Sequence, residues 1–126
     1  KSRKRLILAG NAVVLLCLML LWWQADAPPI VGVILLMTAG FFGSSFAIVV
    51  AHGRTLIPPH LMGRGVTLLN LFGIAPVGLA QILTGRIHDA TPALTPSAPF
   101  ASVFLFFALL TAAGLLAYFF AHDRAD

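Results

Sequence analysis

Apolar residues run through this chain in four long blocks, and polar residues gather in the gaps. The blocks are Leu6 to Trp23, Ile30 to Ala51, Val66 to Gly85 and Phe100 to Ala121, and none contains Asp, Glu, Lys or Arg. A helix needs about 20 apolar residues to cross the roughly 30 Å hydrocarbon core of a bilayer. Each block therefore predicts one membrane span. Backbone exposed to lipid must bond to itself, so the spans are expected to be helices. A membrane barrel would instead alternate apolar and polar residues in short segments. The joins Gln24 to Pro29, His52 to Gly65 and Arg86 to Pro99 leave no room for a soluble domain. The expected fold class is an all-α membrane protein, a single membrane domain over residues 1–126 with four transmembrane helices.

The spans differ in their polar content. In the first, Asn11 is the one strongly polar residue, so this helix is expected to face lipid over much of its surface. In the second, at about 100° per residue, Thr38, Phe41, Ser45 and His52 share a face, and Gly32, Ala39, Gly40, Gly43 and Ala47 share another. Small residues let membrane helices approach, so the second face reads as a packing seam. Hydroxyls such as Thr38 and Ser45 can equally bond to carbonyls of their own helix. In the third span Thr67, Asn70, Gln81 and Thr84 fall within an arc of about 100°. Amides are costly against lipid, so this stripe should face protein or water, either as interhelical glue or as a lining. Pro76, between Gly73 and Gly78, should kink or soften that helix. The fourth span is rich in Phe and reads as peripheral, with Thr111 and Gly114 among its few interruptions.

Composition supports a membrane protein. The chain has 126 residues, 60% hydrophobic and 10% charged, where a soluble domain carries roughly 25% charged residues. Charge sets the orientation. If the spans alternate, Lys1, Arg3, Lys4, Arg5, Arg54, Arg64 and Arg124 fall on one side and Arg86 on the other. The rule that short basic loops stay inside places both ends and the central loop in the cytoplasm, with Asp26 and Asp89 outside. The net charge of +4 is thus topogenic, and nucleic acid is not an expected partner. The run from Lys1 to Arg5 can also touch anionic headgroups of the lipid bilayer, the first expected partner. A basic start, an apolar run and Ala25-Asp26-Ala27 imitate a signal peptide. The apolar run is too long for one, and Trp22 and Trp23 read as an interfacial belt. The first residue is not Met, so a native N-terminus is not expected there.

Catalytic chemistry is missing from the pattern. Cys17 is the one cysteine, so no internal disulfide forms, and it reads as a small buried hydrophobe. His52 and His60 share a loop without a Cys, Asp or Glu to complete a metal shell. His88-Asp89 adjacency does not make a dyad, and no phosphate-binding glycine loop is present. The expectation is a protein that is not an enzyme and has no cofactor and no metal. No acid lies inside the spans, so an ion-coupling residue of a transporter would lie elsewhere.

The segment AHGRTLIPPHLMGRGVTLLNLFGIAPVGLAQILTGRIHDA, Ala51 to Ala90, carries a resemblance. A loop with Pro, then Arg-Gly, then a helix with Asn, Gly and Pro ending in Thr-Gly-Arg-Ile-His-Asp, resembles the major facilitator superfamily around its tenth and eleventh helices. On that alignment the four spans correspond to helices nine to twelve. The leading basic run resembles the basic end of the motif between helices eight and nine, without its glycine and aspartate half. The resemblance implies part of a C-terminal six-helix bundle, so the chain is expected to be a fragment of a secondary carrier. Its implied partners are the remaining N-terminal helices of that carrier, a small solute and a coupling ion. It also implies that Thr38, Phe41, Ser45, Asn70 and Gln81 line the substrate cavity. Arg64, at the cytoplasmic start of the third span, would meet an acidic residue of the other half as a latch, or would act as a positive-inside anchor. The implied location is a bacterial inner membrane. The alternative is a stand-alone four-helix accessory or assembly protein without transport activity. A membrane-embedded enzyme lacks reactive groups, and a small four-helix drug exporter would need an intramembrane acid.

Overall fold

The computed structural model describes residues 3–121; Lys1 and Arg124, two of the basic residues that set the expected orientation, lie outside them. The described chain is helical throughout and contains no strand. Helix α1 spans Arg3–Trp23, α2 Pro29–Gly43, α3 Phe46–Thr55, α4 Met62–Ala90 and α5 Ala98–Phe119, with a short 3-10 turn at Pro59–Leu61 before α4. Proline sits in the first helical positions of α2, of the 3-10 turn and of α5, where its missing N–H costs nothing. Four spans are long and apolar enough to cross a membrane: Lys4–Trp23, Pro29–Thr55, Pro59–Ala90 and Ala98–Phe119. The second is built from α2 and α3 together. The lengths are those of an integral membrane protein.

Contacts at the ends fix the spans as alternately up and down. At one end the Lys4 ammonium, in the first turn of α1, donates to the carbonyls of Phe119 (2.8 Å) and Ala121 (2.6 Å) at the end of α5. At the other end the Ser97 hydroxyl, just before α5, donates to the Asp26 carboxylate just after α1. Lys4, Arg5, Arg54 and Arg64 therefore share one end, and Asp26, Arg86 and Asp89 share the other.

Helix α1 is the centre of the packing, and Leu6, Leu16, Met19 and Trp23 still leave much of its surface exposed, as expected. It packs on α5, α2 and α3. Ile7, Gly10, Cys17 and Leu21 are buried on it, at the three-and-four spacing of a helix seam. Pro99 and Ala108 are the buried residues of α5, which packs on α1 and α4. The sequence could not show this, because lipid is as apolar as a neighbouring helix and an all-apolar helix carries no phase. The remaining apolar surface faces outward; Trp23, Phe72 and Met37 are each more than 70% exposed, as befits a chain solvated by lipid.

Helices α3 and α4 form an antiparallel hairpin around glycines. Phe46 lies on Gly73, Leu69 on Gly53 and Ile57 on Gly65. A Cβ at those glycines would stand 2.7, 2.9 and 2.6 Å from the opposing side chain. Backbone and side chain meet here because no Cβ intervenes. The predicted seam of span two is realised differently. Gly43 faces Val14 of α1, whereas Gly32 and Gly40 have nothing within 4 Å of a Cβ position.

The discontinuity also lies elsewhere than Pro76. Helix α4 runs through Pro76 without interruption, because one lost backbone bond does not end a 29-residue helix. Span two breaks at Ser44 and Ser45 instead. The Ser44 hydroxyl donates to the Phe41 carbonyl at 2.6 Å, and Ser45 N–H bonds to Phe42 O rather than to Phe41 O. Adjacent glycine and serines are a recognised cause of such a bend.

Candidate functional site

The five expected cavity residues do not form one cluster. Phe41 and Ser45 come together at the break of span two. They line a cleft of about 300 Å³ between α1 and the α2–α3 junction, opposite Ala9, Gly10 and Val13. Phe41 is 74% exposed, and its ring meets Phe42 edge to face at 5.3 Å. Thr38 donates to Ile34 O at 2.8 Å, the own-helix bond that membrane hydroxyls commonly make. Asn70 and Gln81 are exposed on α4, about 16 Å apart along the axis at 1.5 Å per residue. Thr67 and Thr84, of the same stripe, bond to Gly63 O and Gln81 O within α4. No residue of α4 is buried among those described. The stripe thus stands open, and on the opposite face of α4 Leu68, Phe72 and Leu79 are exposed as well.

Arg64 lies in the first turn of α4, exposed, at the end that holds Lys4, Arg5 and Arg54. With Gly63, Thr67, Leu68 and Leu71 it lines a shallow groove of about 310 Å³. Asp26 and Asp89 are both at the opposite end, so the described residues give Arg64 no carboxylate at its own end.

Two residues that sequence reasoning left in a loop or on a bland helix are joined at the core. His52 belongs to the last turn of α3 and is 5% exposed. Its Nδ1 is hydrogen-bonded to the Tyr118 hydroxyl, and the two rings meet edge to face at 5.8 Å. The signal was present, since His52 shares the helical face of Thr38, Phe41 and Ser45. They part in the fold: Phe41 and Ser45 line the cleft against α1, while His52 reaches α5. At the opposite end His88 and Asp89 are 3.3 Å apart, and His88 packs on the Phe100 ring at 5.1 Å. Among the described residues no three His, Cys, Asp or Glu side chains gather as a metal site.

A second cavity, of about 250 Å³, lies between α1, α3 and α5. Asn11, Thr111 and Tyr118 bring polar groups to it. Compared with models of protein families, with characterised proteins and with solved structures, the chain matches none.

Proposed function

We propose that the chain is the C-terminal part of a secondary carrier that moves a small solute across a membrane by alternating access. The observation that carries this reading is the open polar stripe of α4. Asn70 and Gln81 are exposed at membrane depth on a helix with no buried residue. Amides at that depth face protein or a water-filled cavity, not lipid. Further helices of the same carrier would cover this face and enclose a path between the two halves. The break of span two supports the same reading, because interrupted helices in carriers occur beside binding sites. Phe41 would give the solute an apolar wall, and Ser45, Asn70 and Gln81 would offer hydrogen bonds, with Thr38 one turn further along. The resemblance to helices nine to twelve of the major facilitator superfamily gives these residues the same roles. The clustering of basic side chains at one end supports a cytoplasmic location for that end, and a bacterial inner membrane suits the family.

Two measurements test this. An antibody against residues 52–65 should detect, in membranes of the source cell, a polypeptide about three times the size of this chain, as twelve helices require. A band of this chain's own size would favour the accessory or assembly role. In the full carrier, Asn70→Ala together with Gln81→Ala should lower solute uptake by about tenfold, the effect of about 1.4 kcal/mol of lost hydrogen bonding. The amount of protein in the membrane should not change. Uptake at the parental rate would remove both residues from the path.

Arg64 fits the latch role by position, exposed at the start of α4 where a helix N-terminus also favours an anion. Arg64→Gln in the full carrier should shift the balance between inward-open and outward-open forms. The readout is cysteine-probe accessibility from each side; equal labelling before and after the substitution leaves Arg64 as a charge anchor alone.

A further inference from the structure

We infer that the cavity between α1, α3 and α5 is a binding site for a short neutral polyol of about glycerol size. This inference is independent of the carrier reading, because Thr38, Phe41, Ser45, Asn70 and Gln81 do not line this cavity.

Size comes first. At about 30 Å³ per water, 250 Å³ corresponds to roughly eight waters, which matches a solute of six to eight non-hydrogen atoms. Hydrogen-bonding capacity comes second. Nearly every hydroxyl within the spans is engaged with its own helix: Thr38 with Ile34 O, Thr67 with Gly63 O, Thr84 with Gln81 O and Ser102 with Ala98 O. Ser45 and Thr111 depart from this habit, their hydroxyls making no hydrogen bond to the described residues, and of the two it is Thr111 that lines this cavity. Asn11 donates through Nδ2 to Ile7 O at 3.0 Å, which leaves its Oδ1 as an acceptor on the cavity. The Tyr118 oxygen lies on the same wall, bonded to His52. A donor on Thr111 and an acceptor on Asn11, set in apolar surroundings, ask for a ligand whose groups both donate and accept, as hydroxyls do.

The third observation is charge. No Lys, Arg, Asp or Glu lines the cavity, and the nearest ammonium, Lys4, is held on carbonyls of α5. An ionic ligand would enter unpaired, at a cost of several kcal/mol in such surroundings. Ile7, Val49 and Leu115 supply apolar walls that suit the C–H edges of a polyol. Asn11 is the one strongly polar residue of its span, and this role gives it a reason to be there.

The test uses the chain in lipid bilayers with carbon-13 glycerol as the probe, read by through-space transfer in solid-state NMR. Glycerol carbons should show transfer to the Asn11 side chain and to Thr111 Cβ. Gly114→Leu should weaken it at least fivefold, because nothing stands within 4 Å of a Cβ there and the leucine can fill the cavity. Thr111→Val keeps the shape of the wall, removes the hydroxyl and should weaken the remaining transfer to Asn11 as much. Ser102→Ala, away from the cavity, should leave it unchanged. Transfer from water protons without transfer from glycerol would make this a hydration cavity and overturn the inference. Glycerol transfer of equal strength in all variants, or none in the parent chain, would overturn it as well.

Discussion

A leucine at position 73 is expected to pull α3 away from α4. Gly73 lies under the Phe46 ring, and a Cβ there would stand 2.7 Å from Phe46 Cζ and 2.9 Å from Cε2. Phe46 begins α3 directly after the break, so its backbone is fixed on one side by α2 and on the other by α4. The ring has little freedom to withdraw. Overpacking of this kind costs about 1–3 kcal/mol. In lipid the separated hairpin finds solvent as apolar as its partner, so little hydrophobic force opposes separation. A cysteine pair at Gly53 and Leu69 reports the contact, since a Gly53 Cβ would touch the Leu69 side chain. With Cys17 replaced by Ser, disulfide formation between the two should fall about tenfold on Gly73→Leu, the equivalent of about 1.4 kcal/mol. Adding Phe46→Ala should restore most of it, because the small residue has only changed sides. Cross-linking at the parental rate in Gly73→Leu would show that the hairpin is not held by this contact.

The same contact marks the boundary of what the residues reveal alone. The four spans are legible because a bilayer imposes a length and excludes charge, and both are visible in one dimension. The common end of Lys4, Arg5, Arg54 and Arg64 is legible for the same reason. Packing is not. Asn11 looks isolated in the sequence and His52 shares a face with Thr38, Phe41 and Ser45, and neither pattern announces that both face α5. In the fold that face is divided: Phe41 and Ser45 line the cleft against α1, and His52 bonds to Tyr118 of α5. Glycines illustrate the same point. Eleven are scattered along the chain, yet Gly53, Gly65 and Gly73 are tightly opposed and Gly32, Gly40, Gly63, Gly78, Gly85 and Gly114 meet nothing. Composition cannot separate the two groups, because the distinction belongs to the partner helix. Asn70 and Gln81 are the reverse case. Their stripe is plain in the sequence and stands open in the fold, so its meaning depends on what covers α4.

Replacing Lys4 by Met should loosen the last turn of α5. The final carbonyls of any helix lack intrahelical donors, and a cation beside them is favoured by the helix dipole. Lys4 supplies both, with one ammonium on Phe119 O at 2.8 Å and Ala121 O at 2.6 Å and the Phe119 ring 5.9 Å away. Charge-assisted bonds contribute about 1.5–3 kcal/mol each. One ammonium serves both carbonyls and is partly open to solvent, which lowers the joint effect to about 1–2 kcal/mol. Amide exchange at residues 118–121 should therefore quicken about 5- to 30-fold, while the middle of α5 keeps its protection. Lys4→Arg keeps the charge and should lose less. Tyr118→Phe removes the hydroxyl bonded to His52 and should quicken exchange in the same turn. The two substitutions act on one short segment, so the double variant should lose less than the sum of the singles. Strict additivity would mean that the Lys4 and His52 ties hold α5 independently, and unchanged exchange in Lys4→Met would mean that α1 does not anchor this end at all.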